Sequence, residues 1–250
     1  MIYILLPAFN ESSGIETILH NISHQLFGQQ YLLVVVNDGS TDDTLDILKK
    51  LQTKLNLKII NHEKNLGLGS AMKTGITYIS SVIHSDDILI TMDADNTHPV
   101  ELLPKLIKNT GGNGSDIVIA SRYAIGGCEV GLTNLRKILS GGASALLKLF
   151  FPIQNVNDYT SGYRAYSGKI IKKSNEFYAD TLVSESGFTC MAEILIKLSH
   201  IGATITEEGL ILRYDLKRGK SKIKILRTIL GYFRLILKLK FPPFYRTNVL

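Results

Sequence analysis

The sequence predicts an α/β protein built on a mostly parallel central sheet with helices on both faces. Short β-branched runs alternate with amphipathic stretches through the first half of the chain, the signature of strand and helix in turn. The strand runs are nearly continuously apolar rather than alternating, as expected of strands covered on both sides. Each run also ends in a polar or glycine-containing cluster, and sheets of this kind bind ligands beyond the carboxyl ends of their strands. With 250 residues, 45% hydrophobic and 20% charged, the chain can bury one sizeable core, which excludes a disordered protein.

The elements follow in order. Strands are expected at 2–7 (IYILLP), 31–37 (YLLVVVN), 57–61 (LKIIN), 87–93 (DILITMD) and 116–121 (DIVIAS). Helical patterns fall between them at about 14–26, 42–55, 68–82 and 99–109. No internal repeat or low-complexity linker interrupts the chain, so one domain is expected over 1–215, with a basic loop and amphipathic helix over 216–250.

Composition narrows the function classes. Two cysteines, Cys128 and Cys190, are too few for a disulfide framework, and no CxxC or Cys/His cluster points to structural zinc. The opening MIYILLPAFNE has no basic region and is broken by Pro7, a poor secretory signal, and no apolar run reaches the ~20 residues needed to span a bilayer. A reducing, cytoplasmic setting is therefore expected. Residues 217–250 hold ten of the 28 basic residues and none of the 22 acids, leaving the first 216 with 18 basic residues and a formal charge of −4. The net +6 is thus a property of the tail, which argues for one local anionic partner rather than a nucleic-acid coat.

Three clusters carry chemistry. Asp93-Ala94-Asp95 follows the run ILITM, and a turn there would let both carboxylates reach one hard cation beside a diphosphate. A solvated strand-end turn is the other reading, and the small Ala94 would permit close approach of a ligand. Asp38 closes VVVNDGST; it caps a loop or accepts from a base or sugar N–H. NLGLGSA is looser than a phosphate-binding loop ending in GK[ST], although glycines ahead of a helix could present backbone N–H groups to phosphate.

Taken in order, PAFNE, VVVNDGSTDDT, NLGLGSAMKTG, MDADNTHP, ASRY, DYTSGYRAY and RGKSK resemble the family 2 inverting glycosyltransferases with a GT-A fold. The likeness is greatest to the dolichyl-phosphate mannosyltransferase and polyprenyl-phosphate glycosyltransferase branch, and it covers roughly residues 1–222. The resemblance implies a Rossmann-like nucleotide-binding half in which Pro7, Phe9, Glu11, Asp38, Asp93 and Ala94 contact the nucleotide. Phe9 stands where the family often has Tyr. Asp93 and Asp95 match the DxD pair that holds Mg²⁺ or Mn²⁺, with Asp95 the more direct ligand and Thr97 where the family often has Gln. Arg122, Arg136 and Ser140 fit the anchor for an acceptor phosphate, since guanidinium groups bind it through paired donors. A structural ion pair for Arg122 and a solvated helix face for Arg136 are the alternatives.

Asp158 aligns with the family's D-x-T-S-G-F segment. Relatives acting on hydroxyls use a carboxylate as general base. The resemblance makes Asp95, Arg122 and Asp158 the expected catalytic residues; because a phosphate acceptor is already ionised near neutral pH, Asp158 is expected to organise the site or orient the acceptor, with base catalysis as the alternative. Glu193 is a lone acid in an apolar helical stretch, expected as a site acid or as a partner for Arg164 or Arg213. Arg218 and Lys222 in RGKSK resemble the family's basic loop over donor and acceptor phosphates; Leu216 stands where the family has Arg, and Arg218 or Arg213 could supply that charge.

Read as a helix over 220–238, Lys220, Lys224, Arg227, Gly231, Arg234 and Lys238 share one side. Ile225, Leu226, Ile229, Leu230, Phe233, Ile236 and Leu237 share the other. This fits an in-plane membrane helix ended by the aromatic anchor at 241–245; a helix packed on the domain's own core or in a dimer seam is the alternative. The expectation is a metal-dependent enzyme, peripheral on the cytoplasmic membrane face through 220–240, moving a sugar from GDP-mannose or a UDP-hexose to a polyprenyl phosphate. It would act alone, as a homo-oligomer or with a separate membrane subunit. Transfer to a saccharide hydroxyl and a non-catalytic scaffold are its rivals.

Overall fold

The computed structural model describes residues 1–216 and 225–240, and for 134–138 and 225–227 the backbone alone. The expected α/β architecture is present. The strands are β1 (Ile2–Ala8), β2 (Tyr31–Asn37), β3 (Leu57–Asn61), β4 (Ile88–Thr91), β5 (Ile117–Ser121), β6 (Cys128–Val130), β7 (Arg164–Ser167), β8 (Ile205–Gly209) and β9 (Ile211–Arg213). The helices are α1 (Ile15–Gln25), α2 (Thr44–Leu51), α3 (Leu68–Ser80), α4 (Leu103–Asn109), α5 (Asn134–Phe150), α6 (Gly168–Tyr178), α7 (Thr189–His200) and α8 (Ile225–Lys240). Seven strands form one sheet in the order β3-β2-β1-β4-β7-β5-β8, and β6 pairs with β9 beside it.

All strands of the large sheet run parallel except β7, which lies antiparallel between β4 and β5. Strand alternation divides the interior into two cores. Tyr3, Leu5, Val34 and Val36 face α3 and α7, while Ile4, Leu6, Leu33 and Val35 face α1, α2 and α4. Burying each such Ile or Leu contributes roughly 1.5–3 kcal/mol, so both faces secure the sheet. Pro7 is tolerated in the central β1 because its missing N–H points past the end of β4, where Met92 N–H reaches the carbonyl of Leu5.

One face of the C-terminal helix packs on the domain's own core, the alternative to a helix lying wholly on a membrane. Lys220 and Lys224 lie outside the described residues. Within the described span, Ile225–Lys240, Tyr232, Leu235 and Ile236 are buried against the core made with α5 and α7, with Leu239 packed alongside. These four residues follow an i, i+3, i+4, i+7 stripe that competes with the stripe read from the sequence. Gly231 lies against Thr189, where an added Cβ would sit 2.5 Å from the hydroxyl. Lys238 Nζ donates to Glu185 at 2.9 Å and to the Ser184 hydroxyl at 2.7 Å. Part of the supposed cationic side and Ile236 of the supposed membrane side thus face the protein. Leu230, Phe233 and Leu237 remain exposed. The 241–245 anchor lies outside the described residues. Among the described residues, no helix is long and apolar enough to cross a membrane.

Candidate active site

The loops after β1 and β2 are laced together at the carboxyl edge. Asn10 N–H donates to the Ser40 hydroxyl at 2.9 Å, Thr41 N–H to Asn10 Oδ1 at 2.8 Å, and Glu11 N–H to the Thr44 hydroxyl at 2.8 Å. Asn10 holds the left-handed φ of 51° that this turn requires. Pro7, Phe9 and Glu11, the expected nucleotide contacts, line this edge with partial exposure.

Asp38 is engaged differently from an open base acceptor. Its buried carboxylate accepts from Leu66 N–H at 2.9 Å and Gly67 N–H at 2.8 Å, and lies 2.7 Å from His62 Nδ1. The His62 Nε2 is 3.0 Å from the Thr74 hydroxyl. Asp38 therefore moors the glycine loop, and two amides expected to face phosphate face Asp38 instead. Gly39 makes the approach possible: at φ 66°, a Cβ would lie 2.2 Å from the Lys64 carbonyl carbon.

β4 stops at Thr91, two residues before the expected end, and places Asp93 and Asp95 in a turn beyond the sheet. Asn96 closes that turn at φ 63° and donates to the Gly14 carbonyl at 3.1 Å. Asp93 is the more open acid, with its side chain 37% exposed. Asp95 is buried, and its Oδ1 accepts from the Thr97 hydroxyl at 2.7 Å and Thr97 N–H at 3.2 Å. Thr97, expected as a ligand in place of Gln, thus supports Asp95. Ala94 is packed into the α1 and α4 core, so its small side chain serves the interior.

The donor set suits a hard cation, because two carboxylates leave most coordination positions to water and substrate oxygens. Among the described residues, no group of three or more His, Cys, Asp or Glu is arranged to hold a metal by itself. The pair by itself would leave a cation's remaining positions to ligands from outside these two side chains.

The segment 158–163 sits next to these acids. The Thr91 hydroxyl donates to the Gly162 carbonyl at 2.7 Å, and a Cβ on Gly162 would lie 3.6 Å from Asp93 Oδ1. The Ser161 hydroxyl donates to the Ala120 carbonyl at 2.7 Å, fastening the segment to β5.

Arg122 is not an open phosphate anchor. Its Nε and Nη2 donate to the two oxygens of Asp158 at 2.8 and 2.7 Å, Nη1 to Glu129 at 3.1 Å and the Ser140 hydroxyl at 2.7 Å, and Nη2 also to the Thr160 hydroxyl at 2.6 Å. These bonds use all five guanidinium N–H groups. Asp158 is fully buried and further accepts from the backbone N–H groups of Arg122, Thr160 and Ser161. Burial pushes its carboxyl upward, but the charge and hydrogen bonds of Arg122 outweigh that and hold it below the ordinary value. Asp158, expected among the catalytic residues, organises the segment, and both of its oxygens are taken up by Arg122 and the local backbone.

Glu193 pairs with Lys197 Nζ at 2.6 Å, rather than with Arg164 or Arg213, and accepts from Ser184 N–H at 2.8 Å and Glu185 N–H at 2.7 Å. The i, i+4 spacing of Glu193 and Lys197 on α7 was the available signal. Arg164 donates to the carbonyls of Met191 and Tyr159, and Arg213 pairs with Asp215. Ser140 also accepts from the Tyr123 hydroxyl at 3.2 Å. Arg136 is placed by its backbone in the first turn of α5, while Arg218 and Lys222 lie outside the described residues.

A mostly parallel sheet under two helical layers, with an acid pair beyond a central strand, defines an α/β fold of GT-A type. The chain belongs to glycosyl transferase family 2, whose pattern matches residues 3–175. It is 33% identical over 237 residues to a dolichol-phosphate mannosyltransferase of Pyrococcus furiosus, covering 94% of this chain and 62% of that protein. It is 28% identical over 172 residues to a polyprenol monophosphomannose synthase of Mycolicibacterium smegmatis, covering 68% of this chain and 63% of that one. The chain thus spans less than two thirds of either relative's length. Its fold is similar to glucosyl-3-phosphoglycerate synthase from Mycobacterium tuberculosis, crystallised with Mn²⁺, UDP and phosphoglyceric acid. That match has a TM-score of 0.67 at 20% identity and covers 100% of this chain and 81% of that one.

Proposed function

We propose that the protein transfers a sugar from a nucleotide-diphosphate sugar to a polyprenyl phosphate, inverting the anomeric centre and depending on Mg²⁺ or Mn²⁺. The observation that carries this reading is the state of Asp158. A saccharide hydroxyl needs a base to take its proton, and the carboxylate in the family's position is buried and bound by Arg122. A phosphate monoester, with its second pKa near ~6, is already charged at pH 7 and can attack directly. The names of the polyprenyl-phosphate relatives support the acceptor class, and the mannosyl names favour GDP-mannose over a UDP-hexose.

Asp93 and Asp95 would hold the cation, with Thr97 keeping Asp95 in place. When bound, the cation supplies neutralisation of the departing diphosphate. Pro7, Phe9 and Glu11 would border the nucleotide. Arg122 shapes the segment 158–162 from behind, so the acceptor phosphate falls to Arg136, Ser140, Arg218 and Lys222. Leu230, Phe233 and Leu237, exposed on α8, would meet the lipid surface on the cytoplasmic face, with 216–250 as the membrane-facing part of a catalytic unit over 1–215.

The test is incubation with Mn²⁺ or Mg²⁺, a panel of labelled sugar nucleotides, and polyprenyl phosphate or saccharide acceptors. Label in the lipid phosphate is expected. Label only in the saccharides would select the hydroxyl-acceptor reading.

A further inference from the structure

His98 is buried next to the acid pair and belongs to none of the roles assigned so far. Its Nδ1 accepts a hydrogen bond from Asp93 N–H at 3.0 Å, which makes Nδ1 the unprotonated nitrogen and leaves the ring proton on Nε2. Nε2 lies 3.8 Å from Asp93 Oδ2, beyond hydrogen-bond length, so the backbone bond is the direct link between the two residues. One imidazole thus holds the backbone of Asp93 and lies beside its carboxylate.

The ring is itself braced. Tyr163 stacks on it, with centroids 4.9 Å apart and planes 17° from parallel. The Tyr163 hydroxyl donates to the carbonyl of Pro99, the residue after His98, at 3.1 Å. Tyr163 stands where the D-x-T-S-G-F pattern has Phe, which lacks the hydroxyl that makes this bond. Its own backbone is tied to β5 through Ala120 N–H at 2.9 Å. The acid turn after β4 is therefore clamped to the sheet from the side by a stacked pair and a hydrogen bond.

We infer that His98, braced by Tyr163, is a positioning residue that sets the Asp93 carboxylate for a diphosphate-bound divalent cation. The inference rests on the donor site proposed above and adds residues that act through Asp93 without touching substrate. Groups behind metal ligands commonly matter this much, because they fix a ligand's orientation before the cation arrives.

The test is Mn²⁺ binding in the presence of GDP or UDP, followed by the electron paramagnetic resonance of free Mn²⁺, in wild type, His98→Phe and His98→Asn. Phenylalanine keeps the stack but removes the acceptor for Asp93 N–H; asparagine places an oxygen near the Nδ1 position. His98→Phe is expected to weaken Mn²⁺ binding by about 10-fold or more, the usual effect of removing such a support, and His98→Asn to recover most of that loss. Equal affinity in wild type and His98→Phe overturns the inference while leaving the donor site standing. So does a His98→Asn variant as impaired as His98→Phe, since the Asp93 hydrogen bond is then not the link. Failure of the wild type to bind Mn²⁺ with either nucleotide overturns the donor site, and this inference with it.

Discussion

Arg122 and Asp158 meet in a two-pronged ion pair, Nη2 to Oδ1 at 2.7 Å and Nε to Oδ2 at 2.8 Å, with the carboxylate wholly enclosed. The pair joins the end of β5 to the segment that borders Asp93, and it turns an arginine and an acid that look like substrate contacts into scaffold. Replacing Asp158 with Asn should cost about 3–5 kcal/mol, the range for removing one partner of a buried pair. Urea unfolding of the single variants at Arg122 and Asp158 and of the double variant would show strong coupling.

Acid stability follows from the same pair. The Asp158 carboxyl is depressed in the folded protein, so the unfolded chain takes up the proton first as pH falls. Its stabilisation is fully present above the ordinary Asp value of about 4 and is lost as pH drops through the lower folded value. Asp42 behaves likewise: burial pushes it up, but hydrogen bonds from Thr44 and Ser12 prevail and hold it at about 2. Unfolding measured from pH 6 to pH 2 should show stability falling below about pH 4, with a shallower fall in Asp158→Asn.

Asp38 predicts a local effect. Asp38→Ala would leave the part-buried amides of Leu66 and Gly67 without their acceptor, at no more than about 1–3 kcal/mol each, the cost where water cannot replace it. Hydrogen exchange at those two amides should accelerate well beyond that in β1, and the Michaelis constant for the sugar nucleotide should rise.

Helix α8 separates packing from charge. Leu235 is fully buried, and Leu235→Ala should destabilise by about 2–5 kcal/mol. Lys238 is 38% exposed in its pair with Glu185, and Lys238→Ala should cost no more than about 1 kcal/mol. Thermal unfolding of both variants checks the ordering, and a larger loss from Lys238→Ala would reverse it.

The sheet was readable where strands were long apolar runs: β1, β2, β3 and β5 start and stop within about a residue of the runs seen in the sequence. β7 was not, because it is four residues, RAYS, with a buried arginine and no apolar run to mark it. The acid pair at 93 and 95 was legible as a motif, and its place beyond β4 follows from the strand ending. What no spacing reveals is how a charged residue is used. Arg122 and Asp38 sit where an anion and a base contact were expected, but their partners Asp158, Glu129, His62 and the loop amides arrive from distant segments. For α8 two readings stay open in the sequence because Tyr232, Leu235, Ile236 and Leu239 form a second apolar stripe on the same helix, and only the shape of α5 and α7 shows that this stripe packs on the core.

Transfer of labelled sugar to polyprenyl phosphate, compared in wild type with Mn²⁺, wild type with the metal chelated, and Asp95→Ala with Mn²⁺, tests the acid pair most directly. Labelled lipid should form in the first sample and drop by several orders of magnitude in the other two. Comparable transfer in all three would contradict a cation held by Asp93 and Asp95 at the centre of the reaction.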